Sequence, residues 1–177
     1  MKTKTILSIL NVLAWIAFIG MCIKTGTLIF NLIFGLFMSP DGLRDSYSII
    51  NLSDLAKNNP TEYLSLMSLL IFVSGLQAYL FFLTTRLFEK INLENPFTEV
   101  VSQLIARISY TAFEIGILSI ITQNYAERLL KKGLFLPDIG EFVNSSSEFI
   151  FLAGIIYVIA QIFKRGIELQ NENDLTI

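Results

Sequence analysis

Tyr63–Thr85 runs for 23 residues without a charged side chain. At 1.5 Å per helical residue that stretch is about 35 Å long, enough to cross a hydrocarbon core of about 30 Å. Pro60 with Thr61 and Glu62 signals a helix start just before it, and Arg86, Glu89 and Lys90 close it. The remaining segments are read against this one. Thr5–Ile23 is a second charge-free run, 19 residues long. Lys24-Thr25-Gly26-Thr27 follows, then apolar Leu28–Met38, too short to cross alone. That piece either continues the first helix past the interface or lies along it. Ser39-Pro40-Asp41-Gly42 is a turn signal that ends it.

A third helix is expected after Asn95-Pro96-Phe97-Thr98-Glu99. Asn95 can cap it with Pro96 in the first turn, and Thr98 is the rival cap. It stays uncharged from Ile115 to Ala126, and Gly133 is a stop. The last apolar run, Phe149–Phe163, has only 15 residues. Phe142 and Val143 extend it on one side, and Lys164 and Arg165 can snorkel to the interface on the other.

The pattern predicts one all-α membrane domain, residues 1–177, with four transmembrane helices near 5–38, 61–90, 97–131 and 147–170. Composition agrees: 53% of residues are hydrophobic and only 16% charged, against about 25% charged in a globular domain. Mean hydropathy is +0.61. Lys2 and Lys4 before Ile6–Gly20 imitate a secretory signal. The apolar run, however, continues through Met21, Cys22 and Ile23 with no small-x-small site, and Met21 suits a lipoprotein cleavage site poorly. The segment reads as an uncleaved signal anchor.

Four crossings place both termini on one side. Lys2, Lys4, Arg86, Lys90, Lys164 and Arg165 then share that side, and Lys24, Arg44, Lys57, Arg128, Lys131 and Lys132 the other. The count is even. The basic pairs at the two ends favour termini on the cytoplasmic side.

Several chemistries lack their residues. There is no histidine, and Cys22 is the single cysteine. Intrachain disulfides are excluded, and the usual zinc and haem ligand sets are missing. There is no phosphate-binding glycine loop and no basic–aromatic nucleic-acid patch. Net charge is −2, so no general pull toward nucleic acid or anionic lipid follows. No cofactor, enzymatic activity or direct nucleic-acid binding is expected.

Two constellations remain. Glu94-Asn95-Pro96-Phe97-Thr98 is echoed by Glu172-Asn173-Asp174-Leu175-Thr176, each after a similar helix end, Arg86–Ile91 and Gln161–Gly166. The echo suggests tandem helical hairpins, residues 1–98 and 99–177. It marks Asn95, Pro96, Phe97, Thr98, Glu172, Asn173 and Asp174 as a candidate partner surface, or simply as helix caps. The second constellation is Gln103, Arg107, Thr111 and Glu114, spaced 4, 4 and 3 on one helix face. Arg107 and Glu114 are a candidate intramembrane polar site, because an ionised group at that depth should face protein or water. Pairing with Arg107, or protonation, would lower the cost. Lys24 is expected to snorkel at the far interface. Ser74, Gly75, Gly116, Ala153 and Gly154 permit close helix approach.

The chain resembles a family of small four-helix bacterial membrane proteins catalogued as a domain of unknown function. The resemblance rests on Asn95-Pro96-Phe97-Thr98-Glu99, on Ile162-Phe163-Lys164-Arg165-Gly166-Ile167-Glu168-Leu169, and on Glu172–Ile177. It implies a multi-pass protein of the bacterial inner membrane, often encoded beside a helix-turn-helix transcription regulator. It also implies a sensory or interaction role, with the matching motifs on the cytoplasmic face. The residues leave two alternatives open: a small transporter or proton-linked permease component using Glu114 and Arg107, and a toxin-immunity protein.

Overall fold

The computed structural model describes residues 3–37, 52–92, 96–137, 139–143 and 146–174. The described residues form four long helices, α1 (Thr3–Phe37), α3 (Pro60–Lys90), α4 (Glu99–Lys131) and α6 (Ser146–Asp174). Two short segments, α2 (Ser53–Asn58) and α5 (Gly140–Val143), sit in the connections. No strand occurs among the described residues.

The four long helices have 35, 31, 33 and 29 residues, or about 44–52 Å each. All four are long and apolar enough to cross a membrane. A helix satisfies its own backbone hydrogen bonds, so this architecture suits a solvent that offers none.

α1 runs unbroken through Lys24-Thr25-Gly26-Thr27, which settles the two readings of residues 25–37 for a continuous helix. The Thr25 and Thr27 hydroxyls donate to the Met21 and Ile23 carbonyls, both at 2.9 Å. Their polar groups are thus satisfied without leaving the helix. The turn signal at 39–42 lies outside the described residues.

α3 starts with Pro60 in its first turn, as its sequence predicts. α4 starts later than expected, at Glu99. Thr98 is the cap, and its hydroxyl accepts from the Val101 N–H at 3.4 Å. Pro96 is therefore outside the helix rather than in its first turn, and Asn95 lies outside the described residues. Gly133 ends α4 with φ +80°, a backbone shape that favours glycine. Bonds from Gly133 N–H to the Leu130 carbonyl (2.9 Å) and from Leu134 N–H to the Leu129 carbonyl (3.2 Å) close the last turn. α6 extends beyond its predicted end at residue 170, to Asp174.

α1 packs on α3, α3 on α4, and α4 on α6. The outer helices, α1 and α6, share no extensive face among the described residues. Neighbours are antiparallel. Phe18 meets Phe82 and Tyr63 reaches Asn31 between α1 and α3. Tyr125 meets Glu62 between α3 and α4. Ser109 meets Ala153 and Phe97 meets Phe163 between α4 and α6. The start of α1, end of α3, start of α4 and end of α6 therefore share one end of the assembly, the terminal end. The opposite end is the loop end.

The larger core cluster lies at the loop end. Leu28 of α1, Leu55 of α2, Tyr63, Leu66 and Leu70 of α3 and Leu129 of α4 pack with Leu136, Ile139 and Val143. The Tyr63 hydroxyl, buried there, donates to the Asn31 carbonyl at 2.6 Å. Glu62 accepts from the Tyr125 hydroxyl and pairs with Lys132 at 2.6 Å. By contrast, the outward faces of α1 and α6 are bare and apolar: Ile16 is 62% exposed, Ile23 65% and Phe151 72%. Apolar surface of that extent needs a covering, and a bilayer supplies one.

Small residues act unequally. A Cβ at Gly116 would stand 2.5 Å from Ile150 and 3.0 Å from the Ser146 carbonyl oxygen, so this glycine sets the α4–α6 spacing. The buried Ser109 hydroxyl donates to the Ala153 carbonyl at 2.9 Å and fixes the same pair. Gly75 and Gly154 have nothing within 4 Å of a built Cβ. They do not mediate close approach between the described helices, contrary to the expectation from sequence.

Candidate functional site

The candidate partner surface is at the terminal end. Pro96-Phe97-Thr98 enters α4, and Phe97 folds back onto α6. Its ring centroid is 5.2 Å from that of Phe163. A Cβ at Gly166 would stand 2.6 Å from the Phe97 ring, so the ring rests on bare helix backbone. Beneath it Val101, Ile105 and Ala160 form a small core, against which Leu87, Ile91 and Phe163 pack. The Phe97 side chain remains 38% exposed, so it is both a fastening and part of the surface.

From this contact α6 continues outward. Arg165 pairs with Glu168 at 2.8 Å, both groups largely exposed. Glu172 follows Gly166 by six residues, about 9 Å along the axis. The structure thus brings Phe97 of the Pro96–Thr98 segment against α6 just before its polar end. The two echoed segments take different shapes: Thr98 caps a helix, whereas Glu172–Asp174 continue one. The capping role does not extend to residues 172–174. The side chains of Asn173 and Asp174 lie outside the described residues.

Arg107 and Glu114 are both exposed, two turns apart on the outward face of α4. Neither forms an ion pair or hydrogen bond among the described residues, and they do not pair with each other. Tyr110 lies between them, 56% exposed and 6.4 Å by ring centroid from Tyr157. Thr111 is buried, so the expected four-residue stripe is Gln103, Arg107, Tyr110 and Glu114 instead. Glu114 points away from the helix assembly, not into a passage through it.

Lys24 corrects a further expectation. With Asn31 beside Tyr63 and Phe18 beside Phe82, Lys24 falls level with residues near Ser74. Tyr125 beside Glu62 puts Glu114 near the same level. Both charged residues are therefore at mid-depth of the apolar region, on helices separated by α3. Lys24 is thus level with the middle of α3 rather than with its end, and α1 continues for three turns beyond it. It is partly buried and has an interaction partner.

The described residues contain no group of three or more metal-ligating side chains. Together these features define an all-helical protein with four helices capable of spanning a membrane. Its terminal end is held together by an aromatic contact between the α4 entry and α6. A family model matches residues 50–177, and the chain belongs to that family, described as "Protein of unknown function (DUF2975)". α1 lies before the matched region. No curated protein and no solved structure matches the chain.

Proposed function

We propose that the chain is a non-enzymatic, multi-pass protein of the bacterial inner membrane whose terminal end faces the cytoplasm and binds a protein partner. The observation that carries this reading is the seat of Phe97 on Gly166 and Phe163. It joins Phe97, at the entry to α4, to the projecting end of α6 over the small core of Val101, Ile105 and Ala160. A helix-turn-helix regulator is the partner class that the family resemblance implies. α6 gives such a partner a polar helix to grip, and α1–α3 with α4–α6 serve as two hairpins of one membrane unit.

Affinity purification of the full chain from the native host, against Phe97→Ala and a deletion of residues 172–177, tests this. One protein should be retained by the full chain and lost from both variants. Its equal retention by both would refute the shared surface.

The transporter alternative is less well supported, since Glu114 and Arg107 point outward. A permease component would have to complete its passage with a second copy or another subunit. Substrate uptake unaffected by Glu114→Gln would argue against it. No observation favours toxin immunity over the other readings, and toxin sensitivity of a deletion strain tests that role.

A further inference from the structure

We infer that the cleft between the end of α3 and the start of α4 binds the phosphate of an anionic phospholipid. The cleft has a volume of about 310 Å³ and, among the described residues, is lined by Arg86, Lys90 and Arg107 with no carboxylate. Among the described residues, none of these three cations is in an ion pair. Arg86 stacks over the Phe82 ring, 5.3 Å from its centroid, which holds the guanidinium at the cleft wall. Gln103, also in the wall, donates to Glu99 at 3.1 Å, so the nearest acid of α4 is engaged at the helix start. Three basic groups with no ion pair among the described residues thus line one concavity, which favours an anion there.

Depth identifies the class of anion. Counting along α3 from Ser74, at mid-depth, Arg86 lies about 18 Å and Lys90 about 24 Å toward the terminal end. Arg107 is level with residues near Leu80, about 9 Å from mid-depth, and its long side chain can rise toward the other two. The hydrocarbon boundary is about 15 Å from mid-depth, with headgroups beyond it. Arg86 is thus at headgroup level, and Lys90 is at its outer edge with a side chain long enough to reach back to it. Apart from Gln103 the rest of the wall is apolar, and part of it faces outward: Tyr79 is 43% and Val100 53% exposed. A phospholipid fits both parts, its phosphate among the cations and its chains along Tyr79, Leu83 and Leu104. Basic pockets between transmembrane helices are a known physical solution for anionic headgroups. Net charge does not reveal it, because the molecule as a whole carries −2.

The test uses the full chain in neutral detergent and counts bound lipid by native mass spectrometry. Phosphatidylglycerol, phosphatidylcholine and inorganic phosphate are offered separately and in competition. Wild type should retain one phosphatidylglycerol in preference to phosphatidylcholine. Arg86→Gln with Arg107→Gln should weaken that retention about thirtyfold, the effect of two basic groups near an anionic surface. Arg86→Lys with Arg107→Lys should keep most of it, which separates loss of charge from loss of fold. Arg128→Gln with Lys131→Gln, an equal charge change at the loop end, should have no effect. The inference is overturned if the two lipids bind equally, or if the loop-end variant loses as much. It is also overturned if inorganic phosphate or a synthetic acidic peptide displaces the lipid, marking the site as one for a free anion or a protein.

Discussion

Gly166→Ala tests the joint at the terminal end. A methyl group at 166 would stand 2.6 Å from Cδ1 and 2.8 Å from Cε1 of Phe97, closer than carbon atoms approach. The ring is the more movable partner, because it lies on a loop and is 38% exposed. It should therefore leave its seat on α6. Full burial of Phe contributes roughly 1.5–3 kcal/mol, so the roughly two-thirds of Phe97 that is covered contributes about 1–2. The pair with Phe163 adds about 0.5–1.5 kcal/mol. In the opposite direction, alanine is favoured over glycine inside a helix by about 1 kcal/mol. In the wild-type background the substitution should cost about 1–2 kcal/mol. In a Phe97→Ala background, with no ring to displace, it should stabilise by about 1 kcal/mol. A reversal of sign is a strong signature of coupling. SDS-induced unfolding of the four proteins in mixed micelles measures it. The same shift in both backgrounds would show that Phe97 is not held by the bare backbone at 166.

Gly116→Ala should destabilise despite its helix propensity, because Ile150 and the Ser146 carbonyl oxygen occupy the space. Gly154→Ala, in open space, should stabilise by up to about 1 kcal/mol; matching shifts in the same unfolding assay would contradict this. Tyr63→Phe should cost about 1 kcal/mol through loss of the buried hydrogen bond to Asn31, and an unchanged midpoint would count against the loop-end core. Glu62→Ala should lower the midpoint more than Lys132→Ala. The glutamate holds both Tyr125 and Lys132, whereas the lysine makes one exposed bond.

The four membrane-length helices were legible because long charge-free runs such as Tyr63–Thr85 leave little else to build. Their fine placement was not. The spacing of Gln103, Arg107, Thr111 and Glu114 fixes a helix face only to within about 40–60° at 100° per residue. Whether Thr111 or Tyr110 lies at its edge depends on where α3 and α6 pack, and those contacts turn Thr111 inward. Lys24 lies deeper than its place at the end of the charge-free run Thr5–Ile23 suggests, because that run is not the whole of α1. Two threonine hydroxyls bonded to their own helix let α1 continue. The terminal surface is half legible: Glu94–Thr98 and Glu172–Thr176 stand out as an echo, each after a similar helix end. The contact that forms is a different one, Phe97 on Gly166, between residues 69 positions apart, and no local pattern encodes it. The cationic cleft is illegible in the sequence for the same reason, since Arg86, Lys90 and Arg107 come from two helices and meet only in the fold.

Photo-crosslinking in the intact native host tests the partner surface most directly, with a crosslinking residue placed singly at Glu99, Glu168 or Phe135. Glu99 and Glu168 are exposed on α4 and α6 near the terminal end, and Phe135 is 77% exposed at the loop end. Positions 99 and 168 should yield an adduct with the same soluble protein, and position 135 should not. No adduct from either terminal position, or the same adduct from 135, would contradict a cytoplasmic partner surface built from Pro96–Thr98 and the end of α6.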